Sequence, residues 1–177
     1  WEVIKREDWV LVNNAVGAWT RRLWDWEHPG CTMGSSGGAG LGYGMGAALG
    51  GVLAHRHSGK VCVNLQADGD LLYTPSALWT AAHHHLPLLV VMFNNRSYYN
   101  SEEHALDVAR VRERPAANAG IGTRLDDPPV SFAQMAQAYG LYGEGPIETP
   151  EAIRPALERA LHIVKDEGRL ALVDIVM

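Results

Sequence analysis

The feature that most constrains this chain is a pair of apolar runs, each followed at once by polar residues. Val61–Leu65 leads into the tetrapeptide Ala67–Asp70, and Leu88–Phe93 leads into Asn94-Asn95. Apolar runs of this length between turn residues are typical of buried strands. Because one helix-length segment separates the runs, we expect two parallel strands joined by a crossover. Their carboxyl ends then lie at the edge where open parallel sheets bind ligands.

Two residues at this edge, Asp68 and Asn95, carry oxygen atoms that suit a hard cation. Carboxylate and amide oxygens bind Mg²⁺ or Ca²⁺, and Mg²⁺ is commonly held by few protein oxygens together with substrate phosphates. Gly69 allows close approach of the backbone to a ligand. A helix with Thr74 as its N-cap and Pro75 in its first turn is predicted to point its N-terminus, which favours anions, toward the same edge. Each residue type is common in simple turns, but together they predict a metal–diphosphate site.

Strand and helix patterns alternate along the rest of the chain. This alternation predicts parallel βαβ units, and therefore an α/β fold with three layers: an open parallel sheet with helices on both faces. The further strands are predicted at Val10–Val12 and Ala171–Val176. Helices are predicted at Gly17–Trp26, toward the end of 34–51, from Thr74 through Ala82, within 96–129 beside a long loop, at Ser131–Tyr139 and from Thr149 to about Lys165.

Composition excludes several classes of protein. The chain has 177 residues, of which 47% are hydrophobic, so we expect one domain, 1–177, with its own core. A net charge of −5 argues against nucleic-acid binding. The longest apolar run is too short to cross a membrane, and no secretory signal opens the chain, so we expect a cytoplasmic protein. Cys31 and Cys62 make no disulfide framework, and Cys62 is expected in the core. Because the chain begins at Trp1, we expect a piece of something longer.

The segment from Asp68 to Asn95 resembles the thiamine-diphosphate-binding signature of one enzyme superfamily. The matching residues are Asp68–Asp70, the helix containing Ser76–Ala82, Leu86-Pro87, the following strand and Asn94-Asn95. The superfamily is that of acetolactate synthase, benzoylformate decarboxylase and pyruvate decarboxylase, and the resemblance covers nearly the whole chain as their C-terminal diphosphate-binding domain. One departure is Ala67, which stands where the signature has its first glycine.

The resemblance implies a set of ligands for Mg²⁺ and thiamine diphosphate. Asp68 and the side-chain oxygen of Asn95 would bind the metal, with the backbone carbonyl of Ser97 as a third ligand. Backbone N–H groups of Gly69 and Asp70 would bind the diphosphate, as a buried polyanion requires. A further backbone contact to the diphosphate would come from Gly17, in the turn after the first strand.

The second notable segment is 34–51, where nine of eighteen residues are glycine. A flexible linker is one interpretation, and a dinucleotide fingerprint at 42–47 is another, although no clear strand precedes it. The uncharged apolar residues between the glycines favour a packed segment. The resemblance implies that Leu41 props the cofactor in a bent shape and that the carbonyls of Ala39 and Leu41 meet its aminopyrimidine ring. An ordinary core position for Leu41 remains the alternative.

The residues of this chain do not complete the active site that the resemblance implies. The glutamate that activates the aminopyrimidine comes, in the resembled enzymes, from a pyrimidine-binding domain that normally belongs to a partner subunit. Neither Glu144 nor Glu148 matches it. We therefore expect a catalytically incomplete chain within a homodimer or homotetramer that decarboxylates or ligates a 2-oxo acid. The alternatives are a nucleotide- or flavin-binding module and a noncatalytic domain of the same fold.

The histidines and tyrosines near the motif give weaker signals. Consecutive residues of a helix point in different directions, so His83, His84 and His85 cannot bind one metal together and are expected at the surface. His104 is expected in solvent, with a place in a cover over the cofactor as the alternative. Of Tyr98 and Tyr99, one is expected to line a substrate pocket and one to be structural.

Overall fold

The structure, a computed structural model, describes residues 1–34, 36–38 and 40–177. Its strands are β1 (Trp9–Asn14), β2 (Val61–Ala67), β3 (Leu89–Asn94), β4 (Tyr142–Ile147) and β5 (Ala171–Val176). They form one sheet in the order β1-β2-β3-β5-β4, and every neighbouring pair is parallel. The predicted open parallel sheet is confirmed.

Helices cover both faces of this sheet. The helices are α1 (Gly17–Leu23), α2 (Tyr43–His55), α3 (Asp68–Tyr73), α4 (Ala77–His83), α5 (Tyr99–Val111), α6 (Phe132–Ala138) and α7 (Pro150–Asp166). Side chains alternate between faces along each strand: Val10 and Val12 pack with α2, α4 and α6, whereas Leu11 packs with α7 and the N-terminal segment. This arrangement is the predicted three-layer fold.

The strand pair that carries the motif lies in the middle of the sheet. β2 and β3 are adjacent, with Val63 paired to Leu89 and Ala67 to Phe93. Cys62 is 4% exposed, as expected for a core residue, and burial raises the pKa of its thiol to about 11. Among the residues that the structure describes, none of the helices has the length and apolar character needed to cross a bilayer.

One strand was not predicted from the sequence. β4 lies at the sheet edge and contains Gly143, Gly145 and Pro146, which are residue types depleted in strands. Both glycines are required by packing, because a Cβ on Gly143 would collide with the Ala133 carbonyl and a Cβ on Gly145 with the backbone of Asp174. Close approach to neighbouring backbone therefore explains why the strand lacks an apolar run.

Two predicted helix boundaries are wrong, and the short helix α3 was not predicted. Thr74 is not an N-cap: α4 begins at Ala77, and the Thr74 hydroxyl donates to the Gly42 carbonyl at 3.1 Å. The helix expected at Gly17–Trp26 ends at Leu23. Beyond it the chain becomes extended, because Trp24 and Trp26 turn back to stack against each other beside the Trp9 ring.

Candidate metal and diphosphate site

The candidate site lies at the carboxyl edge of the sheet. β1, β2 and β3 end at Asn14, Ala67 and Asn94, and because the strands are parallel these ends lie side by side. Asp68 and Asn95 directly follow β2 and β3, and Gly17 lies three residues after the end of β1, so the fold places these residues at one edge as the sequence predicts.

Asp68 has an unusual environment for a carboxylate. It is 2% exposed, and its Oδ1 accepts a hydrogen bond from the Gly69 N–H at 2.8 Å. Its Oδ2 is buried and has no hydrogen-bond partner among the described residues. Burial raises the pKa of Asp68, while the backbone N–H groups of Gly69, Arg96 and Ser97 act in the opposite direction. A buried carboxylate oxygen without a partner is costly, and a divalent cation would satisfy it.

The loop after β3 reaches Asp68. The backbone N–H groups of Arg96 and Ser97 act to lower the pKa of the Asp68 carboxyl group, so these two residues lie beside it. Asn95 is exposed, and its Oδ1 accepts from the Ser97 N–H at 3.0 Å. Arg96 adopts φ 56, an uncommon conformation for a residue other than glycine. No hydrogen bond to the Ser97 carbonyl is found within the described residues. This loop can therefore present an amide oxygen and a backbone carbonyl to a cation near Asp68.

Two residues that sequence reasoning missed support this loop. The Ser97 hydroxyl donates to Glu102 Oε2 at 2.7 Å, and Glu102 lies 3.5 Å from the Arg124 guanidinium. Backbone hydrogen bonds join the same two segments, from the Tyr98 N–H to the Thr123 carbonyl and from the Leu125 N–H to the Arg96 carbonyl. Glu102 is one turn into α5, so its position five residues after Ser97 is a signal that the sequence contains.

Gly69 lies tightly against an aromatic ring. A Cβ at this position would collide with the ring of Tyr98. Tyr98 in turn packs edge-on to Tyr73, with ring centroids 6.0 Å apart, and burial raises the pKa of its phenol. The Tyr98 ring therefore requires a glycine at position 69. This packing requirement is separate from the predicted close approach of a ligand to Gly69.

Asp70 acts through its side chain as well as its backbone. Its Oδ1 accepts from the Gly42 N–H at 2.7 Å and its Oδ2 from the Gly44 N–H at 3.0 Å, so it caps the start of α2. Sequence reasoning predicted only its backbone N–H as a diphosphate donor. The missed signal is that Gly42 and Gly44 begin a helix without a local side-chain cap.

The second half of the glycine-rich segment follows this cap as a packed helix. α2 begins at Tyr43 and buries Met45, Ala48 and Leu49, so the flexible-linker interpretation is wrong for residues 43–51. Leu41 is 53% exposed, which rules out an ordinary core position and leaves its side chain at the surface near Asp70. Ala39 lies outside the described residues.

Two other features that the sequence singled out have ordinary surroundings. A Cβ on Gly17 would meet the Asn14 amide at 3.7 Å and the Arg21 guanidinium at 3.9 Å, which are ordinary contacts, so packing does not require glycine there. His83 stacks on Trp79 with ring centroids 4.8 Å apart, in an exposed position. The described residues contain no group of three His, Cys, Asp or Glu side chains placed to hold a metal. A cation at the sheet edge would therefore be held by one carboxylate together with amide and carbonyl oxygens.

Comparison with known proteins agrees with this geometry. The family model described as the C-terminal TPP binding domain of thiamine pyrophosphate enzymes matches residues 15–175. The chain is 32% identical to the acetolactate synthase large subunit of Haemophilus influenzae over 143 residues, which are 80% of this chain and 22% of that protein. It is 29% identical to benzoylformate decarboxylase of Pseudomonas aeruginosa over 136 residues, or 77% of this chain and 23% of that protein.

Solved structures give a similar result. A thiamine diphosphate-dependent 4-hydroxybenzoylformate decarboxylase of Rhodococcus jostii superposes with a TM-score of 0.71 and 25% identity. The match covers 96% of this chain and 29% of that one. The chain thus spans less than a third of the length of each of these proteins.

Proposed function

Because this chain belongs to the thiamine pyrophosphate enzyme family, as a C-terminal TPP-binding domain, we propose that it supplies the diphosphate- and metal-binding half of an active site. The enzyme would depend on Mg²⁺ and act on a 2-oxo acid by decarboxylation or by acetolactate synthase-like carboligation. The observation that carries the proposal is the buried, unpartnered Oδ2 of Asp68 beside the loop of Asn95 and Ser97.

Each residue of the edge has a distinct task in this proposal. Asp68 would bind Mg²⁺ through Oδ2, Asn95 through its side-chain oxygen and Ser97 through its carbonyl, leaving positions for phosphate oxygens. The remaining contacts would come from Gly17, Gly69 and Asp70 to the diphosphate and from Ala39 and Leu41 to the cofactor rings. When bound, thiamine diphosphate supplies a nucleophilic carbon and an electron sink for cleavage beside a carbonyl.

The remainder of the site would come from outside these residues. The exposed Leu41 and the open strand ends leave room for a pyrimidine-binding domain of the same or another subunit, which would bring the activating glutamate. We therefore propose that this chain binds the cofactor's diphosphate end but is inactive alone, and that the active enzyme is a homodimer or homotetramer.

Calorimetric titration of the intact protein with thiamine diphosphate tests the proposal. We expect binding that requires Mg²⁺ and is lost in Asp68→Ala. Unchanged binding in Asp68→Ala would contradict the proposed metal site. Binding of a flavin or nicotinamide dinucleotide without metal would instead favour a nucleotide-binding module. Tight, metal-dependent cofactor binding without turnover of any 2-oxo acid, even with every domain of the enzyme present, would favour a noncatalytic domain of the same fold.

A further inference from the structure

A series of buried side-chain amides runs from β1 to β2 and ends at Asp70 in α3. The Asn13 amide donates to Asn64 Oδ1 at 2.8 Å, Asn64 donates to Gln66 Oε1 at 2.9 Å, and Gln66 donates to Asp70 Oδ2 at 2.5 Å. Asn64 and Gln66 are 0% exposed. Buried amides in the centre of a parallel sheet are costly unless fully hydrogen-bonded, and nothing in the proposed metal chemistry uses them.

The final acceptor gives this series a single direction. A carboxylate only accepts hydrogen bonds, so Gln66 must present its NH₂ group to Asp70 and its oxygen to Asn64. Asn64 must then present its own NH₂ group to Gln66 and its oxygen to Asn13. Charge-assisted hydrogen bonds are about twice as strong as neutral ones, so the carboxylate also fixes the series most firmly at this end.

The glycine-rich turn is held at the same point. Asp70 binds the Gly42 and Gly44 N–H groups, and the Thr74 hydroxyl binds the Gly42 carbonyl. Gly42 has φ 88, and a Cβ on Gly44 would collide with the Asp70 carboxylate. The turn that carries Leu41 is therefore fixed in position from both sides.

Helix α3 connects this turn to the metal edge. Asp68 and Asp70 are two positions apart, which places them about 200° apart around the helix axis. Asp68 accordingly lies beside the 95–97 loop, and Asp70 beside the glycine-rich turn. The short helix α3 thus sets the distance between Asp68, where the metal and diphosphate are proposed to bind, and the Leu41 turn, where the cofactor rings are proposed to bind.

We propose that Gln66 is a positioning residue that, through the Asp70 carboxylate, holds the Leu41 turn in place for the cofactor rings. The inference rests on the proposed function. Gln66 makes no hydrogen bond to Asp68, Asn95 or Ser97, and it contacts the Asp70 side chain. Because the diphosphate is assigned to the Asp70 backbone N–H, we expect Gln66 to affect binding of the rings more than binding of the diphosphate.

Two ligands separate these effects: thiamine diphosphate and inorganic pyrophosphate, each titrated with Mg²⁺ into the intact protein. In Gln66→Leu we expect thiamine diphosphate affinity to fall about tenfold, as loss of a charge-assisted hydrogen bond implies. Pyrophosphate affinity should change less than about twofold. The Gly42 and Gly44 amides should also exchange with solvent faster. Asp68→Asn should lower the affinity for thiamine diphosphate and for pyrophosphate to a similar degree.

Two further variants guard against a general loss of stability. Val164→Ala removes buried atoms from α7 on the opposite face, and should lower stability without changing either affinity. Leu41→Ala changes an exposed side chain and should reproduce the selective loss of thiamine diphosphate. If Gln66 acts through Leu41, the double variant Gln66→Leu/Leu41→Ala should lose less free energy of thiamine diphosphate binding than the two single variants lose in sum.

The outcomes distinguish the two proposals. If the unaltered protein binds neither ligand with Mg²⁺, the proposed function fails and this inference fails with it. If the unaltered protein binds both ligands, but Gln66→Leu lowers the affinity for both equally or for neither, only the positioning role of Gln66 is overturned. Additive losses in the double variant would also overturn it.

Discussion

Two buried aspartates differ in the hydrogen bonds that their carboxylate oxygens accept. Asp68 follows β2 and Asp174 lies in β5, and burial raises the pKa of both. Asp174 Oδ1 accepts from the Asn94 amide at 2.9 Å and its Oδ2 from the Phe132 N–H at 3.1 Å. Asp68 has a partner for Oδ1 alone. Burial is therefore common to a structural and a candidate functional carboxylate, and the unpartnered oxygen distinguishes them.

The same distinction separates the two consecutive asparagines. Asn94 is buried and joins β3 to Asp174, and through it to the start of α6. Asn95 is exposed, and its Oδ1 accepts only a local hydrogen bond, from the Ser97 N–H, among the described residues. A pair of identical residues thus divides into one that stabilises the sheet and one that is available to a ligand.

Asp68→Asn provides the strongest test of this comparison. The proposal predicts at least a hundredfold weaker Mg²⁺-dependent thiamine diphosphate binding, measured by calorimetry. The ligand-free variant should be as stable as the unaltered protein or more stable by about 1 kcal/mol in urea unfolding, because a buried unpaired charge becomes neutral. A marked loss of stability would show that the Asp68 charge serves the fold.

Asp174→Asn should give the opposite pattern. An amide in this position turns its NH₂ group toward either the Asn94 amide or the Phe132 N–H, and both of these are donors. We expect a loss of about 2–3 kcal/mol in the free energy of unfolding. Cofactor affinity of the folded protein should be unchanged. A variant that keeps its stability but loses Mg²⁺ binding would reverse the roles assigned to the two aspartates.

The pH dependence of stability follows from the shared direction of the two pKa shifts. A carboxyl whose pKa is higher in the folded state binds protons more tightly there than in the unfolded chain. Ligand-free stability should therefore decrease as the pH rises from about 3.9, the ordinary aspartate value, through the raised pKa values. Urea unfolding between pH 4 and pH 7 should show a smaller decrease in Asp68→Asn than in the unaltered protein.

Bound Mg²⁺ should reverse the pH dependence of stability that comes from Asp68, but not the part that comes from Asp174. Because the metal binds only the ionised carboxylate, cofactor affinity should fall as acidification protonates Asp68, at a pH above the ordinary aspartate range. With Mg²⁺ and thiamine diphosphate present, stability should rise over the pH range in which the ligand-free protein loses it. Equal pH profiles with and without ligand would contradict a metal contact at Asp68.

The edge of the sheet could be predicted from the sequence because local patterns encode it. The runs before Asp68 and Asn95 fix two buried strands, and the segment between them fixes their parallel direction. The short helix α3 could not be predicted in this way, since it begins with Asp-Gly, a sequence typical of turns. The edge strand β4 could not either, because its glycines serve contacts with backbone that is distant in the chain.

The partners of Asp70 mark the limit of local reasoning. Its hydrogen bond to Gly42 spans 28 residues, and the amide chain to Asn13 spans a further strand. Each of these residues looks ordinary in its own segment. Only the register of β1 against β2, which pairs Asn13 with Asn64, brings them together. The proposed ligands were thus predictable from sequence, while the residues that position them were not.

Ser97→Ala should give the smallest effect and tests which Ser97 atom matters. The proposal assigns the metal contact to the backbone carbonyl, whereas the hydroxyl only donates to Glu102. We expect a loss of about 1 kcal/mol in stability and a change in Mg²⁺ affinity below about threefold. Asn95→Ala is the matched comparison, since it should leave stability nearly unchanged and weaken Mg²⁺ binding more strongly. If Ser97→Ala lowered the Mg²⁺ affinity as much as Asn95→Ala does, the Ser97 hydroxyl and not its carbonyl would be the metal ligand.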